Sequence, residues 1–173
     1  TALPLGHVVT QGQGAGGDPT IGRIAAEEDR DLLVDRFREY DILFLNVALG
    51  GGTGTGAAPV IVQAAREAGA LVLCFATMPF HFEGEDRLQY SKLGLRELRN
   101  HADAVIVQEN DRLLELASQA EALASSFVAA DTLLGVALRS MWRILAQPGV
   151  MNVNFSDLRR LIETSGGTCA LGV

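Results

Sequence analysis

The apolar positions follow two rhythms, and the change between them marks the elements. Ile42-Leu-Phe-Leu-Asn-Val-Ala-Leu49 is a nearly unbroken apolar run that stops at glycine, and Leu71-Val-Leu-Cys-Phe-Ala76 is another. Runs of this length and composition predict strands, the second buried on both faces. Between them Ala57 to Gly69 reads as a helix, so the segment is a strand-helix-strand unit and implies a parallel sheet. Ala104-Val-Ile-Val-Gln108 adds a further short strand. Ile21, Ile24, Ala25, Leu32, Leu33 and Phe37 fall at helical spacing with Arg and Glu opposite. They predict one amphipathic helix from Pro19 to about Arg38, with Asp18 as cap and Pro19 in the first position. A polar helix is expected from Glu85 to about Asn100. Leu113 to Ala117 and Ala122 to Val128 are helical and lead into Asp131 to Gln147. There Leu134, Ala137, Leu138, Met141, Trp142 and Leu145 surround much of the circumference, as in a central helix. After Pro148-Gly149, Leu158 to Thr164 reads as a short helix and Thr168 to Val173 as a closing strand; Thr1 to Thr10 carry little signal. The fold class is α/β.

Composition narrows the function. At 173 residues, 48% hydrophobic and 20% charged, one domain is the working count. A net charge of −7 argues against a nucleic-acid surface. Cys74 and Cys169 lie in apolar runs without metal-ligand spacing, as expected of buried thiols in a reducing cytoplasm. No apolar run approaches the ~20 residues that cross a bilayer, so direct membrane insertion is not expected.

The chemistry concentrates in Gly50-Gly-Gly-Thr-Gly-Thr-Gly56, set between a strand and a helix. Glycine lets backbone approach an anion closely, a following helix offers unpaired N–H groups and a positive dipole end, and Thr53 and Thr55 add hydroxyls. There is no P-loop lysine and no dinucleotide fingerprint, so an NAD-dependent Rossmann enzyme is permitted only weakly. Gln11-Gly-Gln-Gly-Ala-Gly-Gly-Asp-Pro-Thr20 is a second glycine loop running into a helix. Glu83 and Arg87 are one turn apart, either as a surface ion pair or as ligand contacts. Asn110 follows a strand, where it reads as a turn residue, Asp131 is either a helix cap or a carboxylate acceptor, and Phe127 is either core or a stacking platform. Asp157 is either a helix cap or an acid.

Gly50 to Pro59, GGGTGTGAAP, closely resembles the signature of the tubulin and FtsZ superfamily in its bacterial FtsZ form, and the resemblance continues from about Gly12 to Val173. It implies a Rossmann-like parallel sheet flanked by helices with a long central helix, residues 1–173 forming a partial GTPase domain. In that family Gly50, Gly51, Gly52, Thr53, Gly54, Thr55 and Gly56 would hold the phosphates of GTP or GDP, with Mg²⁺ expected beside them. Ala15, Gly16 and Gly17, in GxGAGGxP, would sense the terminal phosphate. Glu83 and Arg87, in Phe-x-Phe-Glu-Gly-x-x-Arg, would contact sugar and phosphates. Asn110 matches the family's Pro-Asn-Asp, with Glu109 in place of proline. Phe127 would stack on guanine, whose N1 and N2 hydrogens Asp131 would accept. The family's Asn-x-Asp-Phe-Ala-Asp loop is matched at Asn152 and Asp157, with Asn154 replacing the first Asp. In relatives this loop enters the next subunit's site, so Asp157 would be the catalytic acid in trans. The expected protein is a GTP-hydrolysing cytoskeletal homo-polymer, assembled head-to-tail at the cytoplasmic division site with adaptor or membrane-tether proteins. The alternative is a non-hydrolysing paralogue serving as a scaffold. Family members carry a preceding strand, glycine loop and helix and a following domain, so a core excised from a longer chain is expected over a naturally reduced relative.

Overall fold

The structure is a computed structural model that describes residues 3–112, 122–147 and 154–165. The chain divides into two compact units, Thr1–Glu109 and Asn110–Val173. The first contains α1 (His7–Thr10), α2 (Pro19–Glu28), α3 (Arg30–Phe37), β1 (Ile42–Ala48), α4 (Gly52–Glu67), β2 (Leu71–Met78), a 3₁₀ turn (His81–Glu83), α5 (Glu85–His101) and β3 (Ala104–Glu109). The second contains α6 (Ala122–Ala146) and α7 (Phe155–Ser165).

Among the described residues the sheet has three parallel strands in the order β1-β2-β3, with Ile42 beside Leu71 and Leu73 beside Ala104. The expected strand-helix-strand unit is therefore present. β2 is its centre, with Val72, Cys74 and Ala76 in a core shared with Val62 and Ala65 of α4 and Leu98 of α5. The expected closing strand from Thr168 to Val173 lies outside the described residues.

Helix α4 is the hub, in contact with α2, α3, α5, β1 and β2. Its start differs from expectation. The helix opens at Gly52, not at Ala57, so most of the glycine-threonine segment is its first turns. Glycine in a helix costs about 1 kcal/mol relative to alanine, and packing outweighs that here. A Cβ on Gly54 would overlap the Ala48 carbonyl, one on Gly56 the Pro19 carbonyl, and one on Gly22 of α2 the Gly52 carbonyl. These glycines are present for the space they leave, which lets α4 lie directly against the backbones of β1 and α2. Pro59, in the first turn of the helix expected from Ala57, sits in the interior of α4.

The single helix expected from Pro19 to Arg38 is broken at Asp29, and the cause is tertiary. Asp29 Oδ2 accepts from Gly6 N at 2.6 Å, and Glu28 accepts from Val8 N and Val9 N at 3.0 and 3.2 Å. The two carboxylates cap the free amides of α1, the turn that the local pattern did not reveal. The start of α2 matches expectation, since Asp18 Oδ1 accepts from Thr20 N at 2.8 Å with Pro19 in the first turn.

In the second unit, α6 is one continuous helix where two segments were expected. Ala137 is buried, while Trp142 and Ile144 are exposed. Among the described residues no helix is long and apolar enough to cross a membrane.

Candidate functional site

In open parallel sheets, ligand sites form beyond the carboxyl ends of the strands. Beyond β1 lie Gly50 and Gly51, and beyond β2 lies the turn from Pro79 to Gly84. The loop before α2 comes to the same edge. The two glycine loops and the first turns of α5, which follows the Pro79–Gly84 turn, border an open cleft of about 390 Å³ lined by Gly16, Gly17, Asp18, Gly50, Gly51, Asp86, Arg87 and Tyr90.

The cleft is built from backbone. Gly50 has φ 99°, a conformation that favours glycine, and a Cβ there would lie 3.0 Å from the Arg87 carbonyl and 3.2 Å from Pro79 Cγ. Gly51 caps α4 without any side-chain hydrogen bond. The first amides of this 16-residue helix are thus left for a ligand, at the positive end of its dipole. Opposite, Gly16 and Gly17 have φ 57° and 86°, while Ala15 is buried and its carbonyl accepts from Asp18 N at 2.9 Å.

Glu83 and Arg87 form a real pair. Glu83 Oε2 lies 2.6 Å from Arg87 Nη1, and Oε1 accepts from Phe80 N at 2.8 Å. Phe80 is fully buried and stacks on Phe82 at 4.9 Å between ring centroids, which anchors the turn. Glu83 therefore holds the guanidinium at the cleft wall with one oxygen and the turn with the other.

The two threonines part company. Thr55 is buried behind the loop, where its Oγ1 accepts from Gly50 N at 2.8 Å, so it braces the loop. Thr53 is exposed and borders a second hollow of about 200 Å³ with Leu5, Gly12, Gly14 and Ala15. Tyr90 and Asp86 are cleft residues that the sequence reading did not single out, and Asp18, expected only as a helix cap, lines the cleft as well. Tyr90 lies one turn beyond Arg87 on α5, so helical spacing from Arg87 would have found it. Among the described residues no group of three His, Cys, Asp or Glu could hold a metal ion alone.

The remaining candidates belong to the second unit. Asn110 follows β3 directly and is buried. Asp131 is exposed and lies mid-helix in α6, so it is not a cap; Phe127 precedes it by one turn. Asn152 lies outside the described residues. Asn154 and Asp157 form a capping box on α7: Asn154 Oδ1 accepts from Asp157 N at 2.8 Å, and Asp157 Oδ2 from Asn154 N at 3.3 Å. Asp157 Oδ1 also lies 3.7 Å from Arg160, and its side chain remains 44% exposed.

A family model described as Tubulin/FtsZ family, GTPase domain, matches residues 2–118. Over 164 residues the chain is 40% identical to the cell division protein FtsZ of Buchnera aphidicola subsp. Schizaphis graminum, a match covering 95% of this chain and 43% of that protein. With the cell division protein FtsZ of Aquifex aeolicus it shares 40% identity over 171 residues, 99% of this chain and 46% of that one. Its fold matches an empty FtsZ dimer structure from M. jannaschii with a TM-score of 0.85 and 35% identity, over 91% of this chain and 46% of that chain. The chain therefore spans less than half the length of these relatives. A match running through β1, α4, β2, α5 and β3 decides the descent of the chain, which belongs to the Tubulin/FtsZ family and to its GTPase domain.

Proposed function

We propose that the protein containing this chain binds and hydrolyses GTP, polymerises head-to-tail and organises the bacterial division ring in the cytoplasm. The observation that carries the reading is the cleft itself. An uncapped helix N-terminus, two glycine loops and Arg87 converge on it, and each is a donor for phosphate oxygens. Asp18 and Asp86, which also line the cleft, oppose a bare polyphosphate. A nucleotide arriving with its own Mg²⁺ would enter with less negative charge, consistent with cation sites that need phosphate oxygens to complete them.

In this reading Gly16, Gly17 and the Gly50–Gly51 turn hold the phosphates by backbone, Arg87 meets them from the α5 side, and Glu83 orients Arg87. By family resemblance Asn110 and Phe127 contact the sugar and base, and the Asp131 carboxylate accepts the two guanine hydrogens, which adenine cannot offer. Asp157 acts on the nucleotide of the next subunit. Its exposure leaves it free to accept a proton from an attacking water there, while the capping box fixes its rotamer. Asn154 caps the helix as well as an aspartate would and supplies no base. The test is GTP turnover and sedimentation of the full-length protein with GTP and Mg²⁺. Polymer that forms with GTP and disassembles as phosphate is released supports the reading, and its failure to bind GTP over ATP refutes it. Adaptor and tether proteins at the division site would then be the partners that place the polymer.

A further inference from the structure

Gly94 lies in the middle of α5, two turns beyond Arg87, and is buried. A glycine inside a helix is unfavourable relative to alanine, and Gly94 does not use the backbone freedom that would excuse it, since its φ lies outside the positive range. It is there for space. A Cβ on Gly94 would stand 2.8 Å from Thr55 Cγ2 and 3.2 Å from Leu49 Cδ2. The first distance is one that real side chains do not sustain, so Thr55 would have to move. Thr55 is buried, and its Oγ1 is what the Gly50 amide donates to, at 2.8 Å. Gly50 is also held from the other side, against the Arg87 carbonyl of the same helix.

We propose that Gly94 is a positioning residue for the phosphate loop, acting through Thr55. The notch it leaves in α5 seats Thr55 Cγ2, which aims Oγ1 at the Gly50 amide and fixes the direction of the Gly50–Gly51 turn. One helix thus sets the loop twice, by the Arg87 backbone and by the notch at Gly94, so that the guanidinium and the loop amides keep their spacing. The inference rests on the reading of the cleft as a phosphate site.

The test uses the full-length protein and four variants: Gly94→Ala, Thr55→Val, Thr55→Ser and the double Gly94→Ala/Thr55→Ser. Three measurements are made: GDP affinity by calorimetry, hydrogen exchange of the Gly50 amide without nucleotide, and the urea midpoint. Gly94→Ala and Thr55→Val should each weaken GDP and speed Gly50 exchange by about tenfold, the worth of one buried hydrogen bond. Serine keeps Oγ and removes the methyl that a Cβ at position 94 would strike. The double variant should therefore recover the affinity and protection that Gly94→Ala loses, although its core is less well filled. A general packing defect predicts the reverse, with the two losses adding. If Gly94→Ala does not fold, Thr55→Val decides, because it keeps the shape and removes only the acceptor; unchanged Gly50 protection and GDP affinity in it overturn the proposal. A parent that binds no guanine nucleotide overturns the cleft reading and the positioning role together. A parent that binds normally beside an unaffected Gly94→Ala overturns the positioning role alone.

Discussion

Two glycines three residues apart in the signature segment should fail in different ways when substituted. Gly54 looks from the sequence like a phosphate contact, so that valine there would be expected to abolish binding before it disturbs the fold. The structure reverses that order. A Cβ on Gly54 would overlap the Ala48 carbonyl and lie 3.2 Å from Val47 Cγ2, and the first of these is backbone of a sheet strand that cannot swing aside. Overpacking typically costs ~1–3 kcal/mol, and a branched side chain against backbone belongs at or above the top of that range, even after the roughly 0.3–0.5 kcal/mol recovered by replacing a helical glycine with valine, itself a poor helix former. Against a typical domain stability of ~5–15 kcal/mol, Gly54→Val should be visibly destabilised or unfolded. Gly51 is the opposite case. Its φ of −93° suits any residue, and an added Cβ meets nothing within 4 Å. Gly51→Ala should lose at most ~1 kcal/mol as a poorer cap, while its methyl projects beside the cleft and weakens nucleotide by about tenfold or more. Urea melts and GDP calorimetry on the full-length proteins separate the two effects. A stable Gly54→Val that has lost only binding, or a Gly51→Ala that unfolds early and binds normally, would refute this assignment of roles.

Three further outcomes are expected. Burial, with a smaller contribution from the Asp103 carboxylate, pushes the Cys74 thiol up from 9.0 to about 12. In a Cys169→Ser background Cys74 should therefore resist a disulfide reagent at pH 8 until the protein is unfolded. Because the unfolded chain releases this proton near pH 9 and the folded chain holds it, the group leaves stability unchanged below pH 9 and lowers it as pH rises from there toward about 12, which alkaline melts would register. Asp131→Ala should cost GTP ~1.5–3 kcal/mol relative to ATP, the range for a charged hydrogen bond, so a variant that discriminates as well as its parent removes Asp131 from base reading. Asn154→Ala should destabilise α7 by about 1 kcal/mol through loss of its cap, whereas Asn154→Asp should keep the cap and raise GTP turnover, both measurable in one set of melts and phosphate-release assays.

The strands were legible because Ile42 to Ala48 and Leu71 to Met78 are apolar beyond what a loop or an exposed helix needs, and their parallel pairing follows from the helix between them. Where the reading erred, distant contacts had overridden local preference. Gly52 to Gly56 have poor helix propensity and Pro59 suits the first turn of the helix expected from Ala57, yet α4 begins at Gly52 because its backbone rests on the backbones of β1 and α2. Periodicity runs on through Asp29, but Gly6, 23 residues earlier, supplies the amide that turns the Asp29 carboxylate out of the helix pattern. The cleft followed the same division. Its glycines were visible as a motif, whereas Tyr90 and Asp86 joined it only through the rotation of α5, and the inward turn of Thr55 depended on a notch 39 residues away, at Gly94, that no local pattern displays. The last helix was expected from Leu158 with Asp157 as a possible cap, but it opens at Phe155 with Asn154 as its cap and Asp157 bonding back from three residues on, a local pattern that their spacing encodes and the reading missed.

The central claim, that backbone amides of the two glycine loops hold the phosphates of a guanine nucleotide, is tested most directly by amide chemical shifts of Gly16, Gly17, Gly51 and Gly52 in the full-length protein, titrated separately with a non-hydrolysable GTP analogue and with guanosine. The triphosphate should shift all four at one common affinity, and guanosine, which keeps the base and sugar but has no phosphate, should leave them in place. Equal shifts with both ligands, or triphosphate binding that leaves these amides unmoved, would contradict the account.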